Sequence, residues 1–328
     1  MTRIVAEVAQ GYEGKPDYCA LYVRAAARSG ADAVKFQVVY ADDVAEPGYR
    51  YYDSYKTLEM DLGVWREIRV LCDKERIHLF LDVSGERAMH VAREVRPDAI
   101  KFHASNFFNR RLLREGFAVA ELVFVSVGGI EDSEIEELVR EVESWQAPGQ
   151  LALLCGFQAE PTPVESSRVS RLTALRARFP GIQVGYMDHA PGDSEDRVHV
   201  SLLAMALGAD WIEKHLTLSR FLEIEDWVSA LEPDEFARYV ATLRRMEAAL
   251  VDPGLGEEER SYRDRNVKKL LAARDLAVGH PIALGDLAFR RTPRIPAFAG
   301  FHDPARIVGR SLRRSLAPGD PVLEDDLA

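Results

Sequence analysis

Histidines and lysines set inside apolar runs are the residues of this sequence best equipped for chemistry. His189 ends the run GYMDH (185–189) and His215 ends WIEKH (211–215). If both runs are strands, side chains alternate, so Met187 and His189 share one face, as do Glu213 and His215. Two inward imidazoles at the upper ends of neighbouring strands could hold one divalent metal. The plain alternative is two unrelated polar residues in loops. His78, His90, His199, His280 and His302 have no comparable context and read as surface or structural residues.

Lys35 in AVKFQ and Lys101 in AIKFH interrupt otherwise apolar runs. A lysine facing a barrel interior is costly unless it meets an anion. Ser126 precedes Gly128-Gly129, whose amides can form an anion nest. Together these three residues suggest a phosphate or carboxylate pocket, against the alternative of lysines snorkelling at a rim. Cys155 follows an apolar run without a partnered base and reads as packing. The charged runs GEEER and LEDD read as solvated faces, and the patches RRLLR and RSLRRS are too small to imply nucleic acid.

Eight strand-like runs must position these groups: 4–10, 33–39, 77–83, 99–104, 122–127, 151–157, 183–189 and 211–217. Amphipathic stretches lie between them, such as those at 18–29, 62–74, 132–145, 165–178 and 195–207, and a last helix is expected at 232–250. Asp132 and Ser133 are candidate helix caps, and Gly30 and Gly208 sit where helices should stop. Alternating strands and helices predict a parallel sheet. Eight repeats over roughly 250 residues fit a closed (β/α)8 TIM barrel better than an open doubly wound sheet. No GxGxxG turn follows the first strand, as the open sheet would favour. In such a barrel, catalytic groups sit at strand C-termini. The residues found there are Glu7, Lys35, Gln37, Asp82, Lys101, His103, Ser126, Gln158, His189, Glu213 and His215. The expected organisation is a barrel over 1–251, a glycine- and charge-rich linker over 252–264, and a small β-rich module over 265–328.

The composition narrows the function classes. With 328 residues, 47% hydrophobic and 29% charged, the chain is an ordinary globular protein rather than a disordered one. A net charge of −11 argues against nucleic-acid binding, which needs a basic stripe. It leaves room for an anionic small molecule held by a few local lysines. Three cysteines without CxxC spacing argue against a disulfide scaffold or a thiolate zinc site. The N-terminus reads as neither signal peptide nor membrane span, so a cytoplasmic location is expected.

The segments AEV near the N-terminus, GADAVKFQ (30–37), AIKF (99–102), GFQAEPTP (156–163), VGYMDHAPG (184–192) and GADWIEKHLTL (208–218) resemble the sialic acid synthase family. LLAARDLAVGHPIALGDL and VGRSLRRSLAPGDPVLEDDL resemble the antifreeze-like (SAF) domain that ends those enzymes. The resemblance implies a transferase of carbohydrate biosynthesis that joins phosphoenolpyruvate to an N-acyl-hexosamine or related aldehyde. The product would be a 3-deoxy-2-keto sugar acid, with release of phosphate. It also implies a domain-swapped homodimer and a divalent ion, Mn²⁺ foremost with Mg²⁺ or Co²⁺ as alternatives, held by His189 and His215. Lys35, Lys101 and Ser126 become contacts to phosphoenolpyruvate. Glu7 and Asp226 fall near the acceptor sugar. Gln158 joins the substrate-binding set, and Arg291, with Arg294 as its neighbour, becomes the SAF-domain arginine presented to the sugar.

Several positions depart from the family pattern. GYEG (11–14) replaces Asn-His-Asn-Gly, Met187 replaces a serine that helps bind phosphate, and Phe102-His103-Ala104 replaces Ile-(Gly/Ala)-Ser. Asp82-Val83-Ser84 stands for Ser-Thr-Pro, Glu160 for a tyrosine and Trp227 for a histidine. A hydrogen bond to a charged group is worth roughly 1.5–3 kcal/mol, so these changes point to a different acceptor and an altered donor site. Two other readings stay open: an aldolase or lyase using another enol or keto acid, and a non-catalytic sugar- or anion-binding paralogue.

Overall fold

The computed structural model describes residues 1–251 and 254–328. It divides into two compact units, Met1–Val251 and Asp252–Ala328. The first is a closed barrel of eight parallel strands in sequence order. They are β1 (Arg3–Ala9), β2 (Ala33–Val38), β3 (His78–Val83), β4 (Ala99–Phe102), β5 (Val123–Ser126), β6 (Leu151–Cys155), β7 (Gln183–Asp188) and β8 (Trp211–His215). β8 closes the ring on β1, with Glu7 in register with His215.

Period-two alternation splits each strand between two cores. Ile4, Ala6, Val34, Phe36, Leu79, Leu81, Ile100, Phe102, Val123, Val125, Val184 and Ile212 face outward into the shell packed by the helices. The other parity forms a separate inner cluster containing Val5, Ala33, Phe80, Ala99, Phe124, Met187 and Trp211. Phe80, Phe124 and Trp211 meet with ring centroids 5.1–5.6 Å apart, a dry aromatic floor. One step of two residues above that floor, the inward positions become Glu7, Lys35, Asp82, Lys101, Ser126 and Glu213. The lower barrel is therefore filled, and the chemistry is confined to the C-terminal mouth.

The helices form where propensity and capping agree. Pro16–Ser29 carries proline in its first turn and stops at Gly30, whose φ of 79° a side chain would strain. The helix Asp132–Ser144 is capped one residue earlier than expected. Glu131 is its N-cap, and the Glu134 carboxylate accepts the Glu131 N–H at 2.9 Å. Helices Glu86–Val95 and Arg110–Val119 lay outside the amphipathic stretches read from sequence.

In the C-terminal unit, β9 (Lys269–Ala272) pairs antiparallel with β10 (Leu287–Arg290). Its own core gathers Leu270, Leu276, Ile282, Phe301, Leu312, Leu316 and Val322. Two similar turns recur: Asp286 pairs with Arg274 and accepts from Ala283 N–H, and Asp326 does the same with Arg314 and Leu323. Of the expected linker, residues 252 and 253 lie outside the described residues. Its remainder is largely the helix Glu257–Asn266, started by three glutamates that suit a helix N-terminus.

Candidate active site

A cavity of about 910 Å³ opens at the C-terminal mouth of the barrel. Glu7, Lys101, Gln158, His189, His215 and Asp226 all line it, together with Asp82, Glu160 and Glu213. Lys35 and Ser126 lie behind that wall, and Arg291 belongs to the C-terminal unit.

The two histidines meet. Their Nε2 atoms lie 3.2 Å apart, and Glu160 brings a carboxylate oxygen within 4.8 Å of both rings' ligating nitrogens. Burial lowers the proton affinity of both imidazoles, so each stays in the neutral form that binds metals. His215 Nδ1 faces Asp226 Oδ2 at 3.4 Å, the outer contact that orients a ligating ring. His189 Nδ1 is buried without a hydrogen-bond partner. A pair of neutral imidazoles beside a carboxylate is a donor set that fits a divalent cation.

The barrel holds these rings rigidly. At the end of β7, Asp188 accepts hydrogen bonds from Ala190 N–H and Lys214 and from the Ser201 hydroxyl. Lys214 also donates to Ala190 O at 2.8 Å, while Ser229 Oγ and Thr162 N–H both donate to His189 O. Asp226 sits in a left-handed turn, φ 64°, and hydrogen-bonds with Glu160. Burial raises the Asp226 carboxyl to about 7; His215 opposes the rise and Glu160 adds to it.

Below the histidines lies a buried ionic layer. Glu213 bridges both lysines: its Oε2 pairs with Lys35, and its Oε1 accepts from Lys101 at 2.8 Å. Lys35 also lies 2.5 Å from Glu7 Oε2, and Lys101 lies 3.7 Å from Glu7 and 3.8 Å from Asp82. The register explains this, since Glu7 stands opposite Lys35 and Asp82 opposite Lys101. Burial lowers the pKa of Lys35. Burial also works against the charge of Lys101, but Glu213, Glu7 and Asp82 outweigh it and raise its pKa. Burial raises Glu7 to about 7, partly offset by Lys35. Burial also opposes the Glu213 charge, yet the two lysines hold its pKa below the usual carboxylate range. The anion that each inward lysine needs is thus supplied largely by the chain itself.

Ser126 is fully buried, and its Oγ lies 3.5 Å from Met187 Sδ, so the methionine covers the hydroxyl. Gly156 makes room there: at φ 139°, a Cβ would come 2.4 Å from Met187 O. Arg291 is exposed, its guanidinium 3.4 Å from both the backbone and side-chain oxygens of Asn266. Arg294 pairs with Asp320 at 3.1 Å. Burial pushes the Cys155 thiol up to about 12, consistent with packing rather than nucleophilicity. From the sequence, Glu213 stands out as a strand ending on the face of His215, Asp82 as a strand ending that departs from the family pattern, and Glu160 only as such a departure. A glutamate just past β6, beside strands ending in histidine, was the available signal for a third metal-ligand candidate.

Among the described residues, no helix is long and apolar enough to cross a membrane. Residues 22–254 match the NeuB family, and residues 270–328 match the SAF domain. The spore coat polysaccharide biosynthesis protein SpsE of Bacillus subtilis is 29% identical, over 75% of this chain and 68% of that protein. The N,N'-diacetyllegionaminic acid synthase of Campylobacter jejuni is 26% identical, over 88% of this chain and 90% of its own. The crystal structure of the N-acetylneuraminic acid synthetase of Leptospira borgpetersenii superposes with a TM-score of 0.73 at 25% identity, covering 81% of this chain and 92% of that one. The family match spans well over half of the sequence and contains both histidines, and the chain belongs to the NeuB family, with an SAF domain at its C-terminal end.

Proposed function

We propose that this enzyme, a carbon–carbon bond-forming transferase, condenses phosphoenolpyruvate with an aldose to give a 3-deoxy-2-keto sugar acid. The carrying observation is one cavity at the barrel mouth that gathers His189, His215 and Glu160 beside Lys101. In the reaction, C3 of phosphoenolpyruvate bonds to the aldehyde carbon. Water adds at C2, and the C2–O bond to phosphate breaks. A divalent cation held by His189, His215 and Glu160, with manganese as the proposed ion, supplies Lewis acidity toward the aldehyde oxygen.

The chain's own residues do the rest. Lys101, with Lys35 behind it, offers positive charge to the donor's carboxylate or phosphate where water is largely excluded. Glu213 fixes the positions of both ammonium groups. Glu7, with a carboxyl pKa near 7, takes a proton from the attacking water and returns it to the new hydroxyl. Gln158 and Asp226 hold the acceptor, and Asp226 also orients His215. Holding both substrates in one cavity removes much of the entropic barrier. Arg291 is the proposed further sugar contact, Ser126 a phosphate contact once uncovered, and a homodimer the proposed assembly.

The test is to incubate the protein with phosphoenolpyruvate, Mn²⁺ and a panel of aldoses and N-acyl-hexosamines. Phosphate and a sugar-acid product should appear in equal amounts. Absence of both with every acceptor contradicts the proposal. The cover of Met187 over Ser126 favours a second reading, an aldolase that uses a keto acid such as pyruvate. Turnover with pyruvate and none with phosphoenolpyruvate would select it.

A further inference from the structure

Four arginines of the C-terminal unit, Arg274, Arg294, Arg310 and Arg314, each lie within 3.1 Å of a carboxylate. Three cations around one hollow do not. A cavity of about 200 Å³ is lined by Arg265 from the helix Glu257–Asn266, Lys269 from β9 and Arg291 from the segment after β10. Asp264 is its one carboxylate, and among the described residues none of these four side chains forms an ion pair. Arg265 donates to Ser261 Oγ, and Arg291 faces the Asn266 backbone oxygen at 3.4 Å. Lys269 has less. It is 6% exposed, and its ammonium has no hydrogen-bond partner among the described residues. In the strand pair it also stands opposite Arg290, and like charges placed opposite one another are destabilising. A largely buried ammonium without an acceptor is costly, and an anion seated in the hollow would relieve it.

The surroundings select the anion. Three cations and one carboxylate leave a formal charge of 3 − 1 = +2 at the hollow. A carboxylate ligand would neutralise half of that. A phosphoryl group, carrying about −1.5 to −2, matches it and brings three acceptor oxygens for the ammonium and the guanidinium forks. Thr292 Oγ1, also on the wall, accepts the Arg294 N–H at 3.1 Å and keeps its own proton to donate. Pockets that enclose a whole small ligand run to about 300–1,000 Å³, so this one suits a single group of that size.

We propose that the C-terminal unit carries a phosphoryl-binding site of its own, in which Lys269, Arg265 and Arg291 hold free phosphate or the phosphate of a sugar monoester. The site lies wholly within residues 264–297 and does not rest on the synthase reading. With a sugar phosphate bound, Arg291 also keeps the sugar contact proposed above.

The experiment is calorimetric titration of the full-length protein with inorganic phosphate, mannose 6-phosphate and acetate, beside hydrogen exchange of the same samples. Inorganic phosphate or the sugar phosphate should bind, and acetate about tenfold or more weakly. Exchange should slow within 264–297 when the phosphoryl ligand is present. Lys269→Met keeps the length of the stem and removes the ammonium. It should weaken the component that protects 264–297 about tenfold or more, the equivalent of one charged hydrogen bond, and Lys269→Arg should retain most of it. Because Lys269→Met deletes an unpaired cation, it should melt no lower than the wild type, which separates lost binding from lost folding. Tighter binding of mannose 6-phosphate would support the site with the monoester as its ligand, and tighter binding of inorganic phosphate would support it with the free anion. No slowing of exchange within 264–297, acetate binding as tight as phosphate, or a component untouched by Lys269→Met would each overturn the proposal.

Discussion

Replacing Glu213 by glutamine probes the ionic layer where it carries most load. The side chain is 4% exposed and accepts hydrogen bonds from both Lys35 and Lys101. Glutamine keeps the volume, removes the charge and turns an NH₂ group toward one of the lysines. Two cations would then share Glu7 and the distant Asp82. A hydrogen bond to a charged group is worth roughly 1.5–3 kcal/mol, so losing two gives about 3–6 kcal/mol. Breaking a buried pair from one side costs a similar 3–5 kcal/mol. In a unit of about 250 residues each kcal/mol moves the midpoint by about 2–4 °C, so Tm should fall by roughly 6–20 °C. Urea and thermal unfolding at fixed metal concentration measure this. The double variant Glu213→Gln/Lys101→Met should recover part of the loss, because it removes the stranded cation. A single-variant loss below about 0.5 kcal/mol, the range of ordinary surface changes, would refute the assignment of Glu213 as the charge that neutralises the lysines.

Other expectations follow from the same geometry. Asp226→Asn weakens the contact that orients His215 and should reduce metal affinity by about 10–100-fold, read by competition with a chromogenic chelator. Glu7 holds its proton up to about pH 7, against an ordinary value of 4.5. The folded chain therefore binds the proton that the unfolded chain releases, and the Glu7 contribution to stability falls as pH rises from 4.5 through 7, by on the order of 3 kcal/mol. Glu7→Gln should flatten that part of the stability profile, and an unchanged profile would argue against it. Met187→Ser uncovers Ser126 and offers a second hydroxyl. KM for phosphoenolpyruvate should fall about tenfold or more, the equivalent of one charged hydrogen bond, with some loss of stability from the vacated volume.

The barrel was readable because its strands carry two kinds of information at once. In AVKFQ the outward parity is apolar and the inward parity turns polar toward the C-terminal end; in WIEKH the inward parity turns polar in the same way, while the outward Lys214 is buried against Asp188, so site direction is written locally. All eight strands lie where the runs predicted, within about two residues at their ends. Helix Glu86–Val95 was not among the stretches singled out, although Ala88, Met89, Val91, Ala92 and Val95 give it a clearly amphipathic buried face. The histidine pair was visible because each residue sits at the same height on neighbouring strands. The partners of the lysines were not, because pairing Glu213 with both Lys35 and Lys101 depends on contacts across the barrel interior that no local pattern reports. The cover of Met187 over Ser126 was hidden for the same reason.

In the proposed function, a cation at His189 and His215 drives phosphoenolpyruvate condensation. Its most direct test compares phosphate release, with Mn²⁺ and after chelation, for the wild type, His189→Ala and His215→Ala. Metal-dependent release by the wild type is expected, with loss of both release and bound metal in each variant. Release that persists after chelation, or in both histidine variants, would contradict it.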